Sequence, residues 1–195
     1  MKVFWAGSKK SQDITQIVES IEWEGSDTQA SRQASISVAY NPYRGISHEI
    51  KLGDRLCLKE DTCLFYGIVT SAERTGDIGA VKYTAKDYMH YLLRSTGSYN
   101  FKKTTPEKIT KRICNDLQIE TVSLYKTNIH LGSLLFENTS YYKMIVESYN
   151  HAARKRDKKN PKAFMPVMER DKLSVILKGE SSGVILESNK NITKS

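Results

Sequence analysis

The feature that most constrains this chain is that its hydrophobic period changes twice. Up to residue 96, apolar residues recur at every second position, which places them on one face of a strand. Ile17, Ile21 and Trp23 share one parity against Val18, Ser20, Glu22 and Glu24, while Ile36, Val38 and Tyr40 face away from Ser35, Ser37 and Ala39. Leu56 and Leu58 flank Cys57, the run from Leu64 to Thr70 is rich in β-formers, and Val81, Tyr83 and Ala85 alternate with Lys82 and Thr84. The pattern predicts about five strands, separated by the turn residues Gly25-Ser26-Asp27, Asn41-Pro42-Tyr43-Arg44-Gly45, Gly53-Asp54, Glu60-Asp61 and Thr75-Gly76-Asp77-Ile78-Gly79. Short strands at that spacing point to an antiparallel sandwich or barrel, with a hairpin from Arg55 to Thr70 as its strongest local element.

Beyond Ala85 the period lengthens. Tyr88, Leu92 and neighbouring Tyr91 fit one helical face, with Asp87 near its start and Arg94 near its end, where the backbone dipole favours each sign. Thr104-Thr105-Pro106-Glu107 is a helix start: the threonines can cap, Pro106 suits the first turn, and Glu107 can close a capping box on Thr104. Ile109, Ile113 and Leu117, with Cys114 beside them, predict a helix ending near Gln118. Another is expected to begin at Thr139 or Ser140. It carries Tyr141, Met144, Ile145, Tyr149, Ala152 and Ala153 at helical spacing and ends in the charges of Arg154, Lys155 and Arg156, before Pro161. Between these two, Ile129 to Phe136 is apolar but contains Gly132, and reads as either a strand or a buried connection. Alternation then returns at Phe164 to Met168, Leu173 to Leu177 and Val184 to Leu186. Two or three strands cannot close a barrel, so the chain is expected to stop partway through a domain or to finish its sheet with a partner.

Charge separates the same regions. The net charge of the chain is +8. Residues 1–96 carry 12 basic and 12 acidic side chains, residues 97–178 carry 16 and 8, and the last 17 carry 2 and 2. The surplus peaks at Arg154, Lys155, Arg156, Lys158, Lys159 and Lys162, a segment that can be a solvated helix end, a phosphate-binding run or a contact for an acidic partner subunit. The solvated reading is favoured over nucleic acid, because no DNA- or RNA-reading module surrounds the segment. No uncharged apolar run approaches the roughly 18 to 20 residues that cross a bilayer, and the stretch near Met1 is too short for a signal-peptide core. A soluble chain made in a cytoplasm is expected.

Motifs that carry chemistry fail on context. Gly179-Glu180-Ser181-Ser182-Gly183 matches the turn that presents a serine nucleophile, but a strand follows it and no histidine occurs after His151. His48, His90, His130 and His151 give no ligand spacing on one element, and His48-Glu49 lacks the second histidine of a zinc-protease motif. Gly76-Asp77-Ile78-Gly79 leads into a strand rather than a helix, so it is not a phosphate loop. Cys57, Cys63 and Cys114 show no paired spacing and read as free thiols. The tyrosine pairs Tyr40 and Tyr43, Tyr88 and Tyr91, and Tyr141 and Tyr142 suit packing at element edges. Asn138-Thr139-Ser140 and Asn191-Ile192-Thr193 are formal sequons without a secretory route. No catalytic, cofactor-binding or metal-ligating residues are nominated, and no enzyme activity is expected.

The order of motifs as a whole resembles a known family. Gly53-Asp54 followed by Phe65-Tyr66-Gly67-Ile68-Val69 is similar to the hairpin of contractile phage tail hub proteins. Val81-Lys82-Tyr83-Thr84-Ala85-Lys86-Asp87-Tyr88, Tyr91-Leu92-Leu93 and Thr105-Pro106-Glu107-Lys108-Ile109 extend the match. From about Ile14 to Lys178 the chain resembles the XkdQ family, hubs of defective prophages and phage-tail-like bacteriocins, related to the late control gene D group. The resemblance implies an α+β fold: an N-terminal antiparallel β-barrel over residues 1–96, a basic helical insertion over 97–162, and the start of a second β-barrel-like domain over 163–195. It implies a non-enzymatic baseplate component in the virion tail, made in the bacterial host. Three full-length chains would form a ring that joins a sixfold tail tube to a threefold spike. Members of the family continue beyond this length, so truncation within the second barrel is expected. The competing classes are a basic nucleic-acid-binding module and, more weakly, a hub associated with cell-wall hydrolysis.

Overall fold

The computed structural model describes residues 1–8, 10–25, 30–45, 50–74, 76 and 78–179. Its first part is a seven-stranded antiparallel sheet built from β1 (Lys2–Ala6), β2 (Ser11–Asp13), β3 (Val18–Glu24), β4 (Gln33–Tyr40), β5 (Arg55–Lys59), β6 (Cys63–Arg74) and β7 (Gly79–Lys86), in the order β2-β1-β5-β6-β7-β4-β3. Alternate residues point inward: Val3 and Trp5 from β1, Leu56 and Leu58 from β5, Phe65 and Val69 from β6, and Val81, Tyr83 and Ala85 from β7 meet Ile36 and Val38 of β4. Burial on one face of each strand removes these side chains from water and supplies the main stabilisation of the sheet.

The expected closed barrel is not found. The two outer strands, β2 and β3, are consecutive in sequence and joined through a single 3-10 turn, Thr15–Ile17, which brings the ends of the rolled sheet together. Among the described residues no ladder pairs β2 with β3. At this seam the backbone is satisfied otherwise: Ile14 N–H donates to the Val3 carbonyl and Val3 N–H to the Thr15 hydroxyl, both at 2.9 Å. The chain turns at Thr15–Ile17 instead of continuing as the strand that would close the sheet. β1 and β2 also raise the strand number above the sequence expectation. Ser11–Asp13 is exposed throughout, so no apolar alternation marks it.

The Gly53-Asp54 turn closes onto β6. Gly53 lies at φ +89, where a side chain would be strained, and its N–H donates to the Val69 carbonyl at 2.9 Å. Val69 N–H returns a bond to the Asp54 carbonyl at 2.8 Å, and the Asp54 carboxylate accepts from the Trp5 indole at 2.8 Å. These bonds tie β1, the turn and β6 into one unit.

After β7 come α1 (Met89–Arg94), β8 (Thr96–Thr104), α2 (Pro106–Asp116), β9 (Glu120–Leu124), β10 (Leu131–Ser140), α3 (Tyr141–Arg156), β11 (Phe164–Glu169) and β12 (Lys172–Leu177). The three helices fall where helical spacing predicts them. Ser140 caps α3, its hydroxyl accepting from Lys143 N–H at 3.4 Å, and Gln118 takes φ +56 just beyond α2. The middle is nevertheless not purely helical, because it also contains β8, β9 and β10. β8 and β10 form an antiparallel ribbon, and β9 pairs in parallel with β12 to complete the sheet β11-β12-β9. The ambiguous run from Ile129 to Phe136 becomes strand from Leu131 onward. β8 has only half-buried residues on its inner face, Gly97, Tyr99 and Phe101, so its alternation carries little apolar contrast.

Buried residues gather in two clusters. One lies within the first sheet, and the second runs from Met89 to Val175 around α3, whose Met144, Ile145, Tyr149 and Ala152 meet Ile109, Ile113 and Leu173. β11 and β12 therefore share a core with the helices. The strand expected at Val184 to Leu186, most of the Gly179 to Gly183 turn, His48-Glu49 and the sequon at Asn191 lie outside the described residues. So do parts of the turns at 25–27 and 75–79. Of the tyrosine pairs, Tyr88 stacks on Tyr66 with centroids 6.2 Å apart and Tyr141 meets Tyr99 edge-on, whereas Tyr43 is 81% exposed.

Candidate partner-binding site

The basic segment begins in the last turn of α3, where Arg154, Lys155 and Arg156 lie beside the helix's exposed carbonyls, an arrangement the backbone dipole favours. Asp157 ends the helix in an extended conformation, its N–H still donating to the Ala153 carbonyl at 2.9 Å. Its carboxylate then accepts from Lys159 N–H at 2.9 Å and Asn160 N–H at 3.2 Å, which reverses the chain. Lys158, Lys159 and Lys162 follow on this exposed loop, and Phe164 leads into β11. All six predicted cations are exposed, and among the described residues none forms a salt bridge. Lys155 Nζ donates to the His130 carbonyl at 2.8 Å and fastens α3 to the segment before β10.

Below this segment lies an open pocket of about 400 Å³. Arg156 and Lys162 stand on its rim with Asp157 and Asn160, whereas Arg154, Lys155, Lys158 and Lys159 are not among its lining residues. The walls were not legible as a group. Tyr125, Thr127 and Ile129 come from the link between β9 and β10, Ala152 and Ala153 from α3, and Phe164 from β11. The small side chains of Ala152 and Ala153 leave space that a leucine would fill. Phe164 packs at a tilt against both Tyr125 and Tyr149, with centroids 4.9 and 5.2 Å away, and Tyr149 donates its hydroxyl to the Tyr125 carbonyl at 3.1 Å.

Glu107 holds the Thr127 wall in place. The expected capping box on Thr104 does not form: Thr105 is the cap residue and Pro106 the first helical one, which places Glu107 one position too early for that geometry. Its carboxylate instead accepts from the backbone N–H of Thr127 and, at 3.2 Å, from that of Asn128. Burial opposes ionisation, but hydrogen bonds from Thr105 and Thr127 outweigh it and hold the carboxyl below its ordinary 4.5. A depressed value in the folded state means the carboxylate contributes stability above the unfolded value and loses it as pH falls through the folded one. Glu107→Gln is therefore expected to cost about 1 kcal/mol at neutral pH, the half-exposed position reducing the value of the charge-assisted bonds. The difference from the native chain should begin to shrink as pH falls below 4.5 and fade as it passes through the lower folded value, and urea melts at pH 7 and at a series of pH values below 4.5 measure both parts.

Two features lie away from this pocket. Asp87, 2% exposed, accepts from Ser31 Oγ at 2.8 Å, Arg32 N–H at 3.1 Å and Arg32 Nε at 3.2 Å. Arg32 Nη2 donates onward to the Met168 carbonyl at 2.8 Å, linking the first sheet to β11. Sequence reasoning placed Asp87 at a helix start and missed this role, because its partners are remote in the chain. Cys57 and Cys63 are free thiols with sulfurs 3.3 Å apart, and Cys57 is pushed up to about 11 by burial and the neighbouring thiol. Among the described residues no group of histidine, cysteine and carboxylate side chains could hold a metal ion, and no helix is long and apolar enough to cross a membrane.

A family model described as YQBQ-like matches residues 21–195. The uncharacterized protein YqbQ of Bacillus subtilis is 30% identical over 142 residues, covering 72% of this chain and 43% of YqbQ. The phage-like element PBSX protein XkdQ of the same organism is 27% identical over 188 residues, covering 95% of this chain and 56% of XkdQ. The chain thus spans about half the length of these relatives. Among solved structures, the 43 kDa tail protein of prophage MuSo2 from Shewanella oneidensis superposes with a TM-score of 0.73 at 12% identity, over 100% of this chain and 58% of that protein. That likeness concerns the fold.

Proposed function

The chain belongs to the YqbQ-like family, and from that premise we propose that it is a structural component of a phage tail or phage-tail-like particle, placed in the baseplate as a hub. The observation that carries the reading is the similarity to XkdQ along 95% of the chain, together with a fold shared with a prophage tail protein. In this role three subunits close a ring between tail tube and spike, and the work of the protein is geometric and non-enzymatic. The first sheet and the strands β11 and β12 supply ring surfaces, and the basic segment from Arg154 to Lys162 faces an acidic partner of the assembly. The regions 1–96, 97–162 and 163–195 serve as tube-like unit, basic insertion and second β unit, the last two packed on one core.

Light scattering behind size exclusion tests the ring. The protein is expected to elute at three times its subunit mass. A monomer at every concentration would overturn the ring. A stable ring interface removes on the order of 1,200 Å² or more from water, and a dilution series of the same measurement reads how tightly the ring is held.

A further inference from the structure

The pocket beneath the basic segment is not explained by ring formation. Its mouth is cationic: Arg156 and Lys162 are exposed and, among the described residues, have no acidic partner. Asp157 also stands at the rim, but its carboxylate accepts from two backbone N–H groups of its own loop. The interior mixes apolar with polar walls, Tyr125, Ile129, Ala152, Ala153 and Phe164 with Thr127 around a space of about 400 Å³, within the range of pockets that enclose a small ligand. Such a site offers burial to one bulky apolar side chain and ion pairs to the acidic residues on either side of it.

We propose that this pocket binds an acidic segment of a partner protein through a single aromatic anchor, with Arg156 and Lys162 pairing the flanking carboxylates. The inference rests on the reading of the basic segment as partner-facing and names the chemistry of that partner. Aromatic anchors in a desolvated pocket dominate binding free energy, while exposed rim charges act mainly on orientation and association rate. The pocket fits a peptide side chain better than a nucleic-acid base. A base needs a free, flat ring to stack on, whereas Phe164 packs at a tilt between Tyr125 and Tyr149. Two cations, Arg156 and Lys162, stand at the mouth, and neither belongs to a row of base-stacking aromatic rings.

The test is fluorescence anisotropy on the whole chain with three labelled probes: Glu-Asp-Trp-Asp-Glu, the same peptide with alanine for tryptophan, and Lys-Arg-Trp-Arg-Lys. The tryptophan acidic peptide is expected to bind at least tenfold more tightly than either of the others. Arg156→Glu with Lys162→Glu should weaken it tenfold or more, while Lys102→Glu with Lys103→Glu, the same charge change on the β8 ribbon, should alter it less than twofold. Ala153→Leu should abolish the preference for tryptophan over alanine. Should that variant fail to fold, the probe comparison on the native chain still decides. Equal binding of the tryptophan and alanine acidic peptides, or equal weakening by the two charge-reversal pairs, would overturn the proposal. So would displacement of the acidic peptide by oligothymidine at equal concentration, which would assign the mouth to phosphate. Ring formation is measured by mass, so loss of peptide binding with an intact trimer removes the pocket assignment alone.

Discussion

Gly67→Ala is expected to destabilise the protein by about 2 kcal/mol, against the usual sign for a glycine inside a strand. An alanine in mid-strand normally gains roughly 0.5 to 1 kcal/mol over glycine, because the glycine chain has more freedom to lose on folding. Here an added Cβ would lie 2.6 Å from the Lys86 carbonyl oxygen, 2.8 Å from the Lys86 carbonyl carbon and 2.6 Å from Phe65 Cζ. Two of these atoms are backbone of β7, and the ring belongs to a side chain 1% exposed, so none can withdraw freely. Overpacking of this kind costs about 1 to 3 kcal/mol, or more where backbone must shift, and outweighs the gain in chain entropy. The urea midpoint should fall with an unchanged slope. Gly132 supplies the control: nothing lies within 4 Å of its would-be Cβ, so Gly132→Ala should leave the midpoint equal or slightly higher. A Gly67→Ala chain as stable as the native one would show that β6 and β7 do not approach this closely.

Arg32→Met is expected to cost about 3 kcal/mol. The Asp87 side chain is 1% exposed, and its ion pair with Arg32 Nε supplies the only opposite charge bonded to it among the described residues. Removing one member of a buried pair leaves the other as an uncompensated charge, at about 3 to 5 kcal/mol. The lower end applies because the Arg32 side chain is 31% exposed and because Ser31 Oγ and the Arg32 N–H still reach the carboxylate. The Met168 carbonyl also loses its donor across the junction between the first sheet and β11. A double-mutant cycle of Arg32→Met with Asp87→Asn should give a coupling of 1 kcal/mol or more, by analogy with contacting pairs in general. Proteolysis should cut the variant first near the junction, since the loss weakens the link between two cores that otherwise remain packed. Additive single effects would assign Arg32 to the surface.

The family resemblance and the two predictions meet at the same residues. The Phe65-Tyr66-Gly67 motif that marks the hairpin puts its glycine against the Lys86 backbone of β7. Asp87 ends the Val81 to Asp87 run and anchors the arginine that joins the two cores. In both cases the motif records a packing constraint.

Local chemistry was sufficient for much of this. Alternation located β4, β5, β6 and β7 because each turns alternate apolar side chains into a core. Helical spacing located α1, α2 and α3 because their apolar stripes are strong and their ends carry Pro106, Ser140 or a basic last turn. The cluster of cations from Arg154 to Lys162 was visible as composition. Residue patterns alone thus established the strands β3 to β7 of the first sheet, the three helices and the position of the charge, whereas β8 and β9 among the helices left no such mark. Tertiary structure alone decided the rest. β2 and β9 are short and half-buried or exposed, so hydrogen bonding to the neighbouring β1 and to the remote β12, not burial of their own residues, makes them strands. At the open seam Ile14 and Thr15 bond to Val3, and the chain turns at Thr15–Ile17 where a closing strand would run. The pocket became a site only when residues from 125 to 164 met around α3. Periodicity reports how a segment faces its core, but the meeting of segments distant in the chain depends on packing that no local pattern encodes.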